Sequence, residues 1–248
     1  MDRFGGTRVL LTGGGSGIGR ATALRLAAEG AAVFALDVDA EGLAETERAT
    51  GGAGRILART TDVSRERDVI AAVAAAVAEL GGLDALVNVA GIHRTTPIAE
   101  LSVADLTRLY EVNLIGTALC CREALGHLPG GRGVIVNTAS SSATHGNPYM
   151  SAYSASKGAV LAFTLSLAAE VIGRGIRVLA VSPGTVRTPL VGANVLPEGL
   201  DASYYARIHA PMGPAEPEQI AATIAFAAST DAAYLTGVEL RADGGSHI

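Results

Sequence analysis

Leu11-Thr12-Gly13-Gly14-Gly15-Ser16-Gly17-Ile18-Gly19 joins a short apolar run, Arg8 to Leu11, to a helical pattern running from Gly17 to Glu29. The run is short, apolar and feeds glycines, so it reads as a buried strand. Glycines let the backbone turn sharply and let a ligand approach it closely. The helix that follows offers free amide hydrogens and a partial positive charge, both suited to a phosphate. The strict G-x-G-x-x-G spacing does not fit, because the glycines fall at Gly13, Gly17 and Gly19; the turn is a relative of that fingerprint. A glycine turn between a buried strand and a helix is how a nucleotide-binding βαβ unit begins.

The same alternation continues outward from the turn. Ala32 to Leu36, Arg55 to Thr60, Leu83 to Val87, Gly133 to Asn137, Ile176 to Val181 and Val238 to Leu240 read as further strands. Between them, Ser64 is expected to cap a helix running to Leu80 and closed by Gly81-Gly82. Ser102-Val103-Ala104-Asp105 resembles a capping box that opens a long helix through Cys121. Ala152 to Ile172, ended by Gly173, and Glu218 to Ala228 complete the helices. Continuous apolar strands alternating with helices specify a parallel sheet covered on both faces. The expected fold is therefore α/β, a single-domain doubly wound parallel sheet of about seven strands. The whole chain, residues 1–248, reads as one unit, with an aperiodic, proline-rich excursion over the site at about 190–217.

Composition narrows the partners. Apolar residues make up 49% of the 248, and the net charge of −5 is spread without a basic patch, which argues for a folded domain and against nucleic acid. The N-terminus lacks a secretory pattern, and no stretch is expected to reach the length of a membrane span, so a cytoplasmic protein with no membrane partner is expected. Cys120 and Cys121 are adjacent, offer no zinc spacing and read as small core residues in a reducing compartment. No metal-ligand cluster is evident.

Asp37 closes the second strand, about 20 residues beyond the turn. A carboxylate there accepts hydrogen bonds from both hydroxyls of an adenosine ribose and repels a 2′-phosphate. No lysine or arginine follows directly in Val38-Asp39-Ala40-Glu41, so NAD is expected over NADP. Asp39 reads instead as a helix cap.

Tyr153-Ser154-Ala155-Ser156-Lys157 places a phenol and an ammonium four residues apart on one helix face. A phenol with a pKa near ~10 is a poor acid or base at neutral pH. A neighbouring cation favours its phenolate and is expected to draw that pKa toward working pH.

Taken together, these motifs resemble the short-chain dehydrogenase/reductase family in its shorter form. Thr12 to Gly19 matches that family's T-G-x-x-x-G-x-G, through Gly13, Ser16, Gly17, Ile18 and Gly19. Asp62-Val63 resembles the adenine-contacting pair. Asn88-Val89-Ala90-Gly91 resembles N-N-A-G, with valine in place of the second asparagine. Asn113, Ser140, Tyr153 and Lys157 fall at the positions of the family's catalytic four, Ser140 lying thirteen residues before Tyr153. Ser182 to Thr188, with Pro183, Gly184, Val186 and Thr188, resembles the segment that meets the nicotinamide amide, and Asp243-Gly244-Gly245 the usual C-terminal turn.

The resemblance implies hydride transfer between NAD and a small alcohol or ketone. Tyr153 would act as general acid/base, Ser140 would hold the substrate oxygen and Lys157 would hold the nicotinamide ribose. Asn113 would anchor a water between Lys157 and solvent. It also implies a homotetramer paired through the helices around 104–121 and 152–172. An NADPH-linked 3-oxoacyl carrier-protein reductase shares the same length and motif order, and Asp37 argues against it. A regulatory protein that senses NAD without turnover is disfavoured by the intact set of four.

Other polar residues have plainer readings. His93 and His145 read as solvated loop histidines at the sheet edge. Arg94 reads equally as an attraction for an acidic substrate or as a surface arginine. Tyr149 lacks a lysine four residues on and is expected to shape the pocket. Tyr204, Tyr205 and Met212 carry no catalytic role.

Overall fold

Seven short strands alternate along the sequence with amphipathic or wholly apolar helices, and the chain solves their burial with one sheet between two helical layers. The computed structural model describes residues 2–192, 200–201, 203–204 and 208–246. In order these form β1 (Arg8–Thr12), α1 (Gly17–Ala28), β2 (Ala32–Asp37), α2 (Ala40–Arg48), β3 (Arg55–Thr60), α3 (Glu66–Leu80) and β4 (Ala85–Asn88). Then come α4 (Val103–Tyr110), α5 (Thr117–Leu125), β5 (Val134–Thr138), α6 (Ser151–Val171), β6 (Arg177–Pro183), α7 (Pro189–Gly192), α8 (Pro217–Ala228) and β7 (Glu239–Ala242). The sheet order is β3-β2-β1-β4-β5-β6-β7, and every neighbouring pair is parallel.

Side chains alternate between the two faces along each strand. Val9, Leu11, Val33, Ala35, Ala85 and Val87 share one core with α1 and α8 residues such as Leu26, Ile220 and Ile224. Leu10, Phe34, Leu36, Leu86 and Ile135 face the other way, onto Val69 and Val73 of α3, Cys120 and Cys121 of α5, and Leu167 of α6. Every residue of β4 and β5 is buried. The two cysteines are free and buried, and burial pushes the Cys120 thiol up to about 12, which keeps it protonated.

Several local expectations shift. Asp39 does cap a helix, accepting the Gly42 amide at 3.0 Å, and that helix, α2, has no counterpart in the sequence reading. Ser102 caps α4 by accepting the Asp105 amide at 3.1 Å. Ser64 does not cap α3. Its hydroxyl donates to the Asp62 carboxylate at 2.6 Å, and Arg65 takes the cap position. The long helix from Ser102 is interrupted by a widened π turn, Glu111–Gly116. Gly173 sits inside the short turn that follows α6, and the chain leaves that turn at Gly175, whose φ of +66° suits glycine.

Ser151–Arg174, α6 and its terminal turn, is long and apolar enough to span a membrane by length and composition, contrary to expectation. Here its inner face packs on the sheet through Val160, Leu167, Ala168 and Val171, all buried.

The excursion after β6 is pinned at its base. Ala215 donates to the Thr185 carbonyl and Arg187 to the Ala215 carbonyl, both at 2.9 Å. Tyr205, and part of the 190–217 excursion, lie outside the described residues.

Leu86 is fully buried in the middle of β4, beneath the site. Leu86→Ala should cost about 2–5 kcal/mol of stability, read as a lower midpoint in chemical denaturation of the isolated protein.

Candidate active site

The carboxyl ends of the strands meet two connected hollows. The outer one, of about 260 Å³, runs from Asp37 and Asp62 past the glycine turn to Gly91. The inner one, of about 350 Å³, lies over Ser140, Tyr153 and Lys157. Ile18, Val89, Gly91, Ile92, Thr188 and Leu190 wall both, so the two form one trough. Such a crevice beyond the strand ends is where open α/β sheets bind ligands.

The outer trough is built by close backbone approach. Gly13 has φ +78°, and a Cβ there would stand 2.7 Å from the Ala90 amide nitrogen. The Thr12 hydroxyl accepts from the Val89 and Ala90 amides at 3.2 Å, stitching the turn after β1 to the turn after β4. Ser16 caps α1 without a side-chain hydrogen bond and no acid lies in the first turn, so the helix start keeps amide donors for an anion. Gly13, Ser16, Gly17, Ile18, Gly19, Val63, Ala90 and Gly91 all line this part.

Asp37 closes the far end. Its Oδ2 accepts the Gly15 amide at 2.8 Å and its Oδ1 the Asp39 amide at 3.0 Å. A carboxylate has about four acceptor positions, so each oxygen keeps capacity for a diol. Asp62 lies deeper. Burial raises its pKa, but the Ser64 hydroxyl and amide, with Arg108 and Arg65, outweigh that and hold it below its ordinary value.

The trough therefore fits a dinucleotide: amide donors at the turn for the pyrophosphate, an acid at the adenosine end and a reactive cluster at the other.

In that cluster, Lys157 is buried and donates to the Thr138 carbonyl at 2.8 Å. Burial lowers its pKa to about 8. Tyr153 behaves differently from expectation. Burial raises its pKa, and the Ser140 hydroxyl opposes the rise. The expected pull from Lys157 is not among the causes of the Tyr153 shift, and the Lys157 ammonium is itself weakened by burial. Ser140 also accepts from the Ser142 amide at 3.2 Å and the Ser142 hydroxyl at 2.9 Å.

Asn113 lies beneath the cluster in the π turn. Its Oδ1 accepts the Ile92 amide at 2.8 Å, while its Nδ2 donates to the Ile92 carbonyl at 3.0 Å and to the Ser156 hydroxyl at 2.9 Å. Ser156 in turn donates to the Tyr153 carbonyl at 2.7 Å. Pro183, Gly184, Val186 and Thr188 line the inner hollow.

Asn88 is the exception. Its side chain turns between strands, donating to Asn137 Oδ1 at 2.9 Å and to Cys121 Sγ at 3.4 Å, so it braces the sheet instead of walling the trough. His93 was underrated. It lines the inner hollow, its ring edge-on to Tyr153 with centroids 4.5 Å apart. His145 pairs with Thr144 and reaches Arg241. Arg94 is engaged with Asp105 at 2.7 Å. Among the described residues no cluster suits a metal.

A dinucleotide trough ending in a serine, tyrosine and lysine defines an oxidoreductase that acts on CH–OH groups with a nicotinamide cofactor. A family model described as enoyl-(acyl carrier protein) reductase matches residues 13–247, and the chain belongs to the short-chain dehydrogenase/reductase family. It is 44% identical over 248 residues to a cis-4-hydroxycyclohexanecarboxylate dehydrogenase of Sinomonas cyclohexanicum, covering 98% of each. It superposes on the crystal structure of levodione reductase with a TM-score of 0.90, at 36% identity and 98% coverage of both chains. Two further solved relatives, each 34% identical with a TM-score of 0.87 over 99% of this chain and 100% of theirs, carry different nucleotides. One from Burkholderia cenocepacia holds NADP, and a 3-ketoacyl-(acyl-carrier-protein) reductase from Brucella melitensis holds NADH.

Lys157 yields a pH prediction. A lysine whose folded pKa is about 8, against an ordinary 10.5, makes the folded state bind fewer protons than the unfolded one between those values. Stability should therefore rise with pH through that window. Below it, the buried charge costs the fold about 3 kcal/mol. Lys157→Met should flatten this rise in denaturation curves from pH 7 to 10.5, whereas an ordinary surface lysine would leave it unaltered.

Proposed function

We propose that this protein transfers hydride between NAD(H) and a small secondary alcohol or its ketone. The observation carrying the cofactor preference is the Asp37 carboxylate, fixed at the adenosine end by two backbone amides. A 2′-phosphate there would meet negative charge. Arg20, near the start of α1, is spent on the Gly15 carbonyl, Thr46 and Glu45.

A nicotinamide held in the trough would supply the hydride acceptor for oxidation and the hydride donor for reduction. The chain's own groups handle the proton and the oxygen. Ser140 hydrogen-bonds the substrate oxygen and stabilises the charge that develops on it. Tyr153 takes the alcohol proton in oxidation and returns it in reduction. Burial keeps Tyr153 a neutral phenol at neutral pH, which favours proton donation to a ketone and makes oxidation faster as pH rises. Lys157 places its positive end beside the same hollow, where it would hold the nicotinamide ribose. Relatives named for cyclic substrates, a hydroxycyclohexanecarboxylate and levodione, support a small cyclic alcohol or ketone as the substrate class. The family resemblance supports a homotetramer in the cytoplasm.

Two substitutions test this reading. Tyr153→Phe should reduce turnover at least ~10³-fold while NAD binding, followed by fluorescence, stays within a few-fold; comparable turnover would remove Tyr153 from the mechanism. Asp37→Ser should lower the ratio of kcat/KM for NAD over NADP by about 100-fold, a loss of roughly 2.7 kcal/mol of discrimination. A ratio that does not move would mean the carboxylate is not the selector.

A further inference from the structure

Part of the wall of the inner hollow comes from the loop between β5 and α6. That loop is held in an unusual way. Tyr149 adopts φ +59°, a left-handed conformation that side chains other than glycine seldom take. Its carbonyl accepts the Thr96 amide at 2.8 Å, tying the loop to the segment after β4. Such conformations persist where the surroundings over-determine them, typically at ligand sites. The residues so placed are Asn147 and Met150, both of which line the hollow together with Ser140, Tyr153 and His93.

Asn147 carries the inference. Its Oδ1 is buried yet has no hydrogen-bond partner among the described residues. Its Nδ2 makes only a long contact, 3.8 Å, with Met150 Sδ. Buried amide atoms in folded proteins are almost always paired, and an unpaired one calls for an explanation. Much of the surrounding wall is apolar: Ile92, Met150, Val186 and Leu190. An amide kept in such a wall is suited to a polar group that arrives with the ligand. Among the described lining residues Lys157 is the only cation, and it is already bonded to Thr138, so the wall suits a neutral group better than a carboxylate.

Resting on the proposed alcohol chemistry, we propose that Asn147 forms a second oxygen subsite and that the preferred substrate is a small diol or hydroxy ketone. One oxygen meets Ser140 and Tyr153, and the second, a hydroxyl, pairs with the Asn147 amide. A hydroxyl both donates and accepts, so it satisfies whichever end of the amide faces it. A site built to hydrogen-bond a substrate hydroxyl discriminates strongly against the analogue lacking it, because the protein's polar group is then left unmet.

The test is NAD reduction by the full-length wild type, Asn147→Leu and Asn147→Ala with four probes: cyclohexanol, 1,2- and 1,4-cyclohexanediol, and cis-4-hydroxycyclohexanecarboxylate. The wild type should favour at least one diol over cyclohexanol in kcat/KM by 10-fold or more, and both variants should cut that ratio at least 10-fold. Because the readout is a ratio within each variant, a partly misfolded preparation does not mimic it. An unmoved diol ratio, or a wild type preferring the carboxylate with Asn147 irrelevant to it, overturns the subsite and leaves the alcohol chemistry standing. Failure of all four probes with NAD, and again with NADH and cyclohexane-1,2-dione, overturns both.

Discussion

A buried ammonium held by one backbone carbonyl governs this molecule. Lys157 Nζ lies 2.8 Å from the oxygen of Thr138, the last residue of β5, and little solvent reaches it. Taking an ion out of water costs several kcal/mol unless other groups replace the lost hydration. The cost is offset by the apolar burial of Val160, Leu161, Leu167, Ala168 and Val171 on the same helix. The contact also fixes the register of α6 against the sheet. Four residues earlier on the same helix face, Tyr153 is thereby brought beside Ser140, which follows β5 directly. One ion–carbonyl contact thus sets the spacing of Lys157, Tyr153 and Ser140.

A second tie holds this cluster to the nucleotide side. The π turn at Glu111–Gly116 lets Asn113 face inward, where its amide grips both polar groups of Ile92. Single widened turns of this kind occur mostly at functional sites. Through Ser156 the same amide reaches the Tyr153 carbonyl. The segment that walls both hollows is therefore bonded, through two side chains, to the helix that carries the phenol.

Much of this was legible because it follows from spacing. A glycine turn between an apolar strand and a helix, an acid closing the next strand, and a tyrosine four residues before a lysine are local patterns whose geometry is set by helix and strand periods. What escaped depended on contacts between distant segments. Asn88 looks like a wall residue by its place at the end of β4, yet Asn137 and Cys121 draw its side chain into the sheet. His93 looks like a loop histidine until the fold lays Tyr153 against it. The short, charged α2 is polar overall, and its clearest signal in the sequence is the Asp39 cap. The direction of the phenol's pKa likewise depends on burial, which spacing alone does not reveal.

Chemistry and selectivity are carried by different parts of the fold. Ser140, Tyr153 and Lys157 sit on or directly beside β5 and α6, where register leaves no freedom. The rest of the inner wall comes from the segment after β4, the loop before α6 and the excursion after β6, none of which the sheet constrains in length or composition. A loop can be exchanged at little thermodynamic cost, whereas a one-residue slip in β5 would turn its buried side chains to the opposite face. Relatives sharing this chain's frame can therefore act on different alcohols with one proton-transfer device. The proposed subsite would place part of that selectivity on one such loop, at the buried Asn147 amide oxygen.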